Sequence, residues 1–77
     1  MKKVLVVIAP GFEEIETITV VDILRRAGAR VTLAGTVPGI LIGSRNIKLE
    51  PDEILDNIGE KEYDLICLPG GHLEQII

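Results

Sequence analysis

The stretch VLVVIAPGFEEIETITVVDILRRAGARVTLA, residues 4–34, predicts a strand, a helix and a second strand in succession. Residues 4–9 form a continuous apolar run rich in β-branched side chains, which is typical of a strand covered on both faces in a parallel sheet. Pro10 and Gly11 break that run, and residues 29–34 supply the next short strand. A strand, a helix and a parallel strand connect with a right-handed crossover, so we expect an α/β sheet with the first strand at its centre.

The helix between these strands is expected to run from about Glu14 to Ala27. Four apolar side chains recur at the spacing of one helical face: Val20, Ile23, Leu24 and Ala27. Two arginines followed by Gly28 indicate where the helix ends, because basic residues favour the last turn and glycine favours the position after it.

The second half of the chain alternates turn signals with short apolar runs. Residues 43–46 (GSRN) separate residues 40–42 from residues 47–49, which favours a β-hairpin. Pro51 and Asp52 predict the start of a short helix near Glu53 to Ile58. Residues 64–68 predict another buried strand, and residues 72–77 the first turns of a further helix.

These elements predict an α/β fold, a three-layer sandwich around a mainly parallel sheet. Three predicted parallel strands with two full helices do not cover both faces of such a sheet. We therefore interpret residues 1–77 as the N-terminal portion of a single larger domain.

Composition excludes several classes of function. A net charge of −4 over 77 residues gives no basic footprint for nucleic acid. No stretch approaches the roughly 20 apolar residues of a membrane-spanning helix. The single cysteine forms no internal disulfide, so a reducing cytoplasm is the expected location.

Glu16 is the first candidate site residue. Ligands of open α/β sheets bind outside the carboxyl ends of the strands, where the loop before this helix lies. Counting back four residues from Val20 puts Glu16 on the core-facing side of the first helical turn. One interpretation is a solvated charge that complements the helix dipole, and Glu13 and Glu14 fit that role better. The other is a carboxyl group facing the crevice, where desolvation raises its pKa and prepares it for proton transfer with a nucleophile.

Gly70 and Gly71 are the second candidate, because they follow the apolar strand of residues 64–68. A glycine pair commonly serves a turn. Alternatively, the backbone N–H groups of these glycines point into the crevice as an oxyanion hole.

The remaining candidates have weaker support. Cys67 lies inside an apolar strand, where a thiol is usually a small buried hydrophobe with a raised pKa. His72 fits a loop or helix-capping residue better than a base. Arg45 is either a solvated turn residue or an anion contact in this site or across a subunit interface.

No metal site is predicted from one Cys and one His. Neither a GxGxxG nor a GxxxxGK[ST] motif occurs, so no nucleotide cofactor is predicted, and flavin has no positive support.

Several stretches, taken in order, resemble the ThiJ/PfpI family, also written DJ-one. They are residues 3–16 (KVLVVIAPGFEEIE), 24–35 (LRRAGARVTLAG), 43–45 (GSR) with Pro51-Asp52, and 63–71 (YDLICLPGG). The resemblance implies a flavodoxin-like domain, usually dimeric, with a nucleophilic cysteine on a strand-to-helix elbow. It implies that Glu16 hydrogen-bonds that cysteine and that Gly70 and Gly71 supply backbone donors beside it. The family's elbow cysteine lies roughly thirty residues beyond the glycine pair, past Ile77, and Cys67 does not match it.

The resemblance leaves several functions open. It implies a cofactor-free cysteine enzyme acting on a small carbonyl substrate, with glyoxalase or deglycase chemistry on 2-oxoaldehydes, while other members are assigned peptidase activity or named for thiazole monophosphate synthesis. A first alternative is a non-catalytic stress sensor or chaperone-like dimer that uses the same thiol. A second is a class I glutamine amidotransferase-like domain. The expected macromolecular partner is a second copy or a complementary C-terminal chain.

Overall fold

The computed structural model describes residues 2–58 and 63–69, together with the backbone of residues 75–76. In chain order the elements are β1 (Lys3–Ile8), α1 (Glu14–Arg26), β2 (Arg30–Gly35), β3 (Leu41–Ile42), β4 (Lys48–Leu49), β5 (Glu53–Ile54), a 3-10 turn (Leu55–Asn57), β6 (Leu65–Leu68) and β7 (Gln75–Ile76).

Five of the strands form one sheet in the order β5-β2-β1-β6-β7. β1 pairs in parallel with β2 on one side and with β6 on the other, so the predicted central position of β1 is confirmed. β5 continues the parallel arrangement beyond β2, and β7 is antiparallel to β6. The result is the mainly parallel α/β sheet that the sequence predicts, with four parallel strands in place of the three expected.

β1 is buried on both faces, as its unbroken apolar run predicts. Its residues from Val4 to Ile8 are at most 9% exposed. Val4, Val6 and Ile8 belong to a cluster that includes Val21 of α1. Leu5 and Val7 point to the other face and pack in a second cluster. Alternating side chains of one strand therefore contribute to two cores, one on each side of the sheet.

α1 has the predicted ends but a different buried face. Gly28 has a φ of +94°, the left-handed conformation that glycine adopts readily after a helix. The buried positions are Glu14, Thr17 and Val21, at i, i+3 and i+7, whereas Ile23 is 56% exposed. The predicted apolar stripe is confirmed in part, since Val20 and Leu24 are partly buried against the core cluster, but Ile23 and Ala27 are exposed. Glu14 and Thr17 belong to the inward face in their place.

The predicted hairpin forms a small sheet of its own. β3 and β4 are antiparallel, with Leu41 opposite Leu49 and Ile42 opposite Lys48. Asn46 has a φ of 69°, a left-handed conformation that asparagine tolerates in tight turns. Both strands have only two residues, so the hairpin depends on contacts outside its own ladder.

Two predicted helices are wrong. The segment from Glu53 to Ile58 begins as β5, paired with Ala34 and Gly35 of β2, and continues as the 3-10 turn. Asp52 holds it extended, because its backbone N–H donates to Leu33 O at 2.8 Å and its carboxylate accepts from Leu33 N–H. Residues 75–76, expected in a helix, pair with Leu68 and Cys67 along the edge of β6. Residues 59–62, 72–74 and 77 lie outside the described residues.

Within the ranges that the structure describes, none of the helices has the length and hydropathy needed to cross a bilayer.

Candidate functional site

The candidate site lies at the carboxyl edge of the sheet. Because β1 and β6 are parallel neighbours, with Val6 beside Cys67, the chain leaves Ile8 and Leu68 at the same edge. The loop after Ile8 leads to Glu16, and buried Pro69 follows Leu68. This agrees with the expectation that the two loops leave neighbouring strands. Gly70, Gly71 and His72 themselves lie outside the described residues, so their predicted roles remain predictions.

Glu16 lies in the first turn of α1, at the position that the sequence predicts. Its side chain is half-buried, and its Oε1 atom is closed off from solvent. The acidic first turn of the helix is formed by Glu14 and Glu16 together. A carboxyl oxygen removed from water at the carboxyl edge of a parallel sheet has the environment that proton-transfer groups often use.

Glu14 is the most deeply buried carboxylate that the structure describes in α1, at 5% exposure. Its Oε2 atom accepts hydrogen bonds from the backbone N–H of Arg45 at 2.7 Å and of Ile47 at 3.3 Å. The Ser44 hydroxyl lies 3.2 Å from Oε1. The interpretation of Glu14 as a solvated first-turn charge was therefore wrong, because its carboxylate is the acceptor for a turn about thirty residues away.

These contacts set the protonation state of Glu14. Burial raises the pKa of its carboxyl group, but hydrogen bonds from the backbone N–H groups of Glu14, Arg45 and Ile47 and from the Ser44 hydroxyl lower the pKa by more. The pKa therefore lies below its ordinary value of 4.5, and Glu14 is ionised at neutral pH.

Arg45 lies in the turn between β3 and β4, and its side chain is exposed. Its backbone is fixed by Glu14, two residues before Glu16 in the same helix. The turn is also joined to the loop after β1, because Gly11 N–H donates to Ile42 O and Ser44 N–H donates to Phe12 O, both at 2.8 Å. Arg45 thus belongs to a turn that lies against the start of α1, although its role as an anion contact remains a prediction.

Cys67 is a buried strand residue, as predicted. It lies in β6 at 6% exposure and belongs to the same cluster as Val6. Burial raises the pKa of its thiol above the ordinary value of 9.0. A protonated thiol in the middle of the sheet has neither the ionisation nor the access that a nucleophile needs.

Sequence reasoning missed Glu14, Gly43 and Ser44. Gly43 is buried, and a Cβ atom placed on it would overlap the carboxylate of Glu14 and lie 2.8 Å from Glu14 Cγ. The available signal was the spacing of Glu14, Thr17 and Val21 on one helical face, which a search for apolar residues alone passes over.

The candidate site is distinct from an apolar cavity at the opposite edge of the sheet. That cavity measures about 510 Å³ and is lined at the amino ends of β1 and β6 by residues that include Val4, Leu24 and Leu65. The strand topology favours the carboxyl edge as the site, because reactive side chains of parallel α/β sheets gather at the carboxyl ends of the strands. Among the described side chains, no group of three or more His, Cys, Asp or Glu residues is arranged to hold a metal ion.

Curated relatives match nearly all of this chain. It is 44% identical over 71 residues to Protein dj-1beta of Drosophila melanogaster, a match that covers 91% of this chain and 38% of the relative. It is 31% identical over 75 residues to Deglycase TK1284 of Thermococcus kodakarensis, covering 97% of this chain and 45% of that protein. The chain thus spans less than half the length of these relatives.

Solved structures share the fold. The oxidized DJ-1 structure of Toxoplasma gondii superposes with a TM-score of 0.90 at 37% identity, over 96% of this chain and 41% of that one. The parallel order of β2, β1 and β6 is therefore part of a flavodoxin-like α/β fold. The model of the DJ-1/PfpI family matches residues 2–76, and the chain belongs to that family.

Proposed function

We propose that these residues form the N-terminal portion of a cysteine-dependent enzyme that acts on small 2-oxoaldehydes, with glyoxalase or deglycase chemistry. The observation that carries the proposal is the half-buried carboxyl group of Glu16, with Oε1 closed off from water, at the carboxyl edge of β1. The identity to a relative named as a deglycase supports the same chemistry. Because buried Cys67 is unsuited to attack, the nucleophilic thiol belongs to a part of the protein beyond these residues.

The proposed reaction begins with attack of that thiolate on the aldehyde carbon. A C–S bond forms, and the carbonyl electron pair moves onto oxygen. The backbone N–H groups of Gly70 and Gly71 stabilise the resulting oxyanion. Glu16 exchanges a proton with the thiol and with the hemithioacetal, and so sets the pKa of the nucleophile. A proton shift between the two carbons and addition of one water release the 2-hydroxy acid and regenerate the thiol.

The test is methylglyoxal turnover by the full-length protein and its Glu16→Gln variant. We expect kcat/KM to fall by about 100-fold or more, because general acid–base catalysis contributes on that order. The rate of thiol alkylation against pH should show a changed thiol pKa in the same variant. Glu50→Gln is the matched control, since Glu50 is an exposed carboxylate and should leave both measurements unchanged.

Two outcomes would contradict this proposal. If Glu16→Gln leaves both turnover and thiol pKa unchanged, Glu16 does not tune the nucleophile. If the full-length protein turns over no 2-oxoaldehyde while its thiol oxidises reversibly, the function is that of a redox sensor.

The proposed partner is a second copy of the protein or the remainder of the domain. Ile15, Ile18 and Ile23 of α1 are 80%, 49% and 56% exposed, and Ile42 and Ile47 of the hairpin are 45% and 56% exposed. Large apolar side chains exposed on both α1 and the hairpin favour burial against protein. Light scattering of the full-length protein tests the homodimer. If that protein is a monomer, the remainder of its own chain covers these isoleucines.

We also propose that the protein acts in the cytoplasm. The supporting observation is that Cys67, a free thiol inside the sheet, needs no oxidising compartment. Fractionation of cells that express the full-length protein tests this, and recovery in a secreted or periplasmic fraction would contradict it.

A further inference from the structure

The carboxylate of Glu14 joins the first turn of α1 to the turn of residues 43–47. Oε2 accepts from Arg45 N–H at 2.7 Å and from Ile47 N–H at 3.3 Å. The Ser44 hydroxyl is 3.2 Å from Oε1. Two backbone N–H groups of the turn therefore donate to one carboxylate, which is itself 5% exposed. The Ser44 hydroxyl, with one proton, lies at the same 3.2 Å from Glu13 Oε1 and is shared between the two glutamates.

Gly43 makes room for this carboxylate. A Cβ atom at residue 43 would overlap Oε2 and Cδ of Glu14. The φ of Gly43 is not positive, so glycine is not needed there for backbone conformation. The absence of a side chain serves the contact with Glu14, and this is a second observation independent of the hydrogen bonds.

The tip of the hairpin is closed by its own backbone hydrogen bonds, Gly43 N–H to Ile47 O at 2.9 Å and Asn46 N–H to Gly43 O at 3.0 Å, but neither of these reaches α1. Each of its strands has two residues, and a ladder of that length is marginal in water. The hydrogen bonds Gly11 N–H to Ile42 O and Ser44 N–H to Phe12 O attach the end of β3 and the turn itself to the loop after β1. The contacts of Arg45 and Ile47 with Glu14 are the ones that join this turn to α1.

We infer that Glu14 is a positioning residue, whose carboxylate holds the turn of residues 43–47 against the first turn of α1 and so fixes the backbone of Arg45 there. Glu14 touches neither the substrate nor the nucleophile in this arrangement. It acts through the backbone of Arg45, whose exposed guanidinium is the cation that this proposal assigns to a carboxylate group on the substrate. The substrate preference rests on the proposed function, whereas the fixed turn does not.

The first experiment measures amide hydrogen exchange at Arg45 and Ile47 in the full-length protein. In Glu14→Ala we expect exchange at both amides to be about tenfold faster or more, because hydrogen bonds to a charged acceptor are lost. Gly43→Ala should do the same with no change in charge, because its methyl group displaces the carboxylate. Glu14→Gln keeps one oxygen acceptor and should protect both amides better than Glu14→Ala does.

The matched control is Asp22→Asn, which removes a charge from an exposed position of the same helix. It should leave exchange at Arg45 and Ile47 as in the wild type. If Glu14→Ala and Gly43→Ala both leave these amides as protected as in the wild type, the inference is overturned.

The second experiment compares two aldehydes that differ in charge. For 4,5-dioxovalerate, a 2-oxoaldehyde that also carries a carboxylate, we expect KM to rise about two- to fivefold in Glu14→Ala and Gly43→Ala, the range of an exposed ion pair. KM for neutral methylglyoxal, kcat and the thiol pKa should stay near their wild-type values. Glu14→Gln should restore most of the KM for the charged aldehyde, a rescue that general destabilisation would not give.

The failures of the two proposals are distinguishable. If kcat falls equally for both aldehydes and the ratio of their KM values stays constant, Glu14 does not act through Arg45. If the full-length protein turns over neither aldehyde, the proposed function fails, and the exchange experiment alone decides whether Glu14 positions the turn.

Discussion

The carboxylate of Asp52 accepts a hydrogen bond at 2.9 Å from the backbone N–H of Leu33, nineteen residues away in the chain. The same oxygen accepts from Nη2 of Arg25 at 2.9 Å, and that guanidinium nitrogen also donates to Val31 O at 2.9 Å. Asp52 N–H in turn donates to Leu33 O. One aspartate therefore attaches the start of β5 to β2 and, through Arg25, to the last turn of α1.

We expect Asp52→Ala to lower the free energy of unfolding by on the order of 1–2 kcal/mol, because it leaves the Leu33 N–H without its acceptor. Urea unfolding of the full-length protein measures the change. The ion pair between Asp52 and Arg25 accounts for little of this loss in stability. The side chain of Arg25 is 50% exposed and that of Asp52 is 48% exposed, so water screens their attraction.

Asp22→Ala is the comparison, because Asp22 forms an exposed ion pair with Arg26 at the same 2.9 Å separation. It bonds to no backbone group in the described residues, so its loss should cost about 0.5 kcal/mol or less. Equal costs for the two variants would show that the bond from Asp52 to Leu33 contributes nothing.

The contacts of Asp52 also explain how far the sequence predicted the fold. The elements from β1 to β2 were predicted because apolar periodicity, Pro10-Gly11 and Gly28 are local signals. The helix expected at Glu53 to Ile58 failed because Pro51-Asp52 gives the same local signal whether the next residues start a helix or join an edge strand. Pairing with β2 decided between them, and that contact is not encoded locally.

The candidate site was predictable to a similar extent. Glu16 was singled out from its position in the first helical turn, and the structure has it half-buried there. Glu14 was misjudged because its partners, Arg45 and Ile47, are more than thirty residues away. A carboxylate in a first helical turn complements the helix dipole whether it faces water or a turn, so only tertiary contacts separate the two cases.

Glu14 should make stability depend on acid pH. Its pKa is lowered in the folded state, so its contribution to stability is fully present above the ordinary value of 4.5 and is lost as pH falls through the lower folded pKa. We expect the free energy of unfolding to fall more steeply below pH 4.5 in the wild type than in Glu14→Gln. Urea unfolding at a series of pH values measures this, and parallel curves would contradict it.

Cys67 should be unreactive in the folded protein. Its thiol is 6% exposed, and burial raises its pKa above 9.0, so little thiolate is present at pH 8. We expect iodoacetamide to modify Cys67 only slowly in the native state and rapidly in denaturant, as followed by mass spectrometry of the peptide that contains it. Rapid native modification at Cys67 would mean that β6 opens readily or that the thiol is accessible.

Gly35 should not tolerate a methyl group. It ends β2 and is buried, and a Cβ atom placed on it would lie 2.9 Å from Pro51 Cγ, 3.1 Å from Leu41 Cδ1 and 3.2 Å from Val37 O. The proline ring cannot rotate away, so part of the segment leading to β5 must shift. We expect Gly35→Ala to lower the free energy of unfolding by about 1–3 kcal/mol, the usual cost of overpacking.

A double-mutant cycle identifies the cause of that cost. Pro51→Ala removes the ring carbon nearest to the new methyl group, so the cost of Gly35→Ala should be smaller in the Pro51→Ala background than in the wild type. Urea unfolding of the two single variants and the double variant gives the coupling energy. Strictly additive costs would locate the strain at Leu41 or at the backbone of Val37 and not at Pro51.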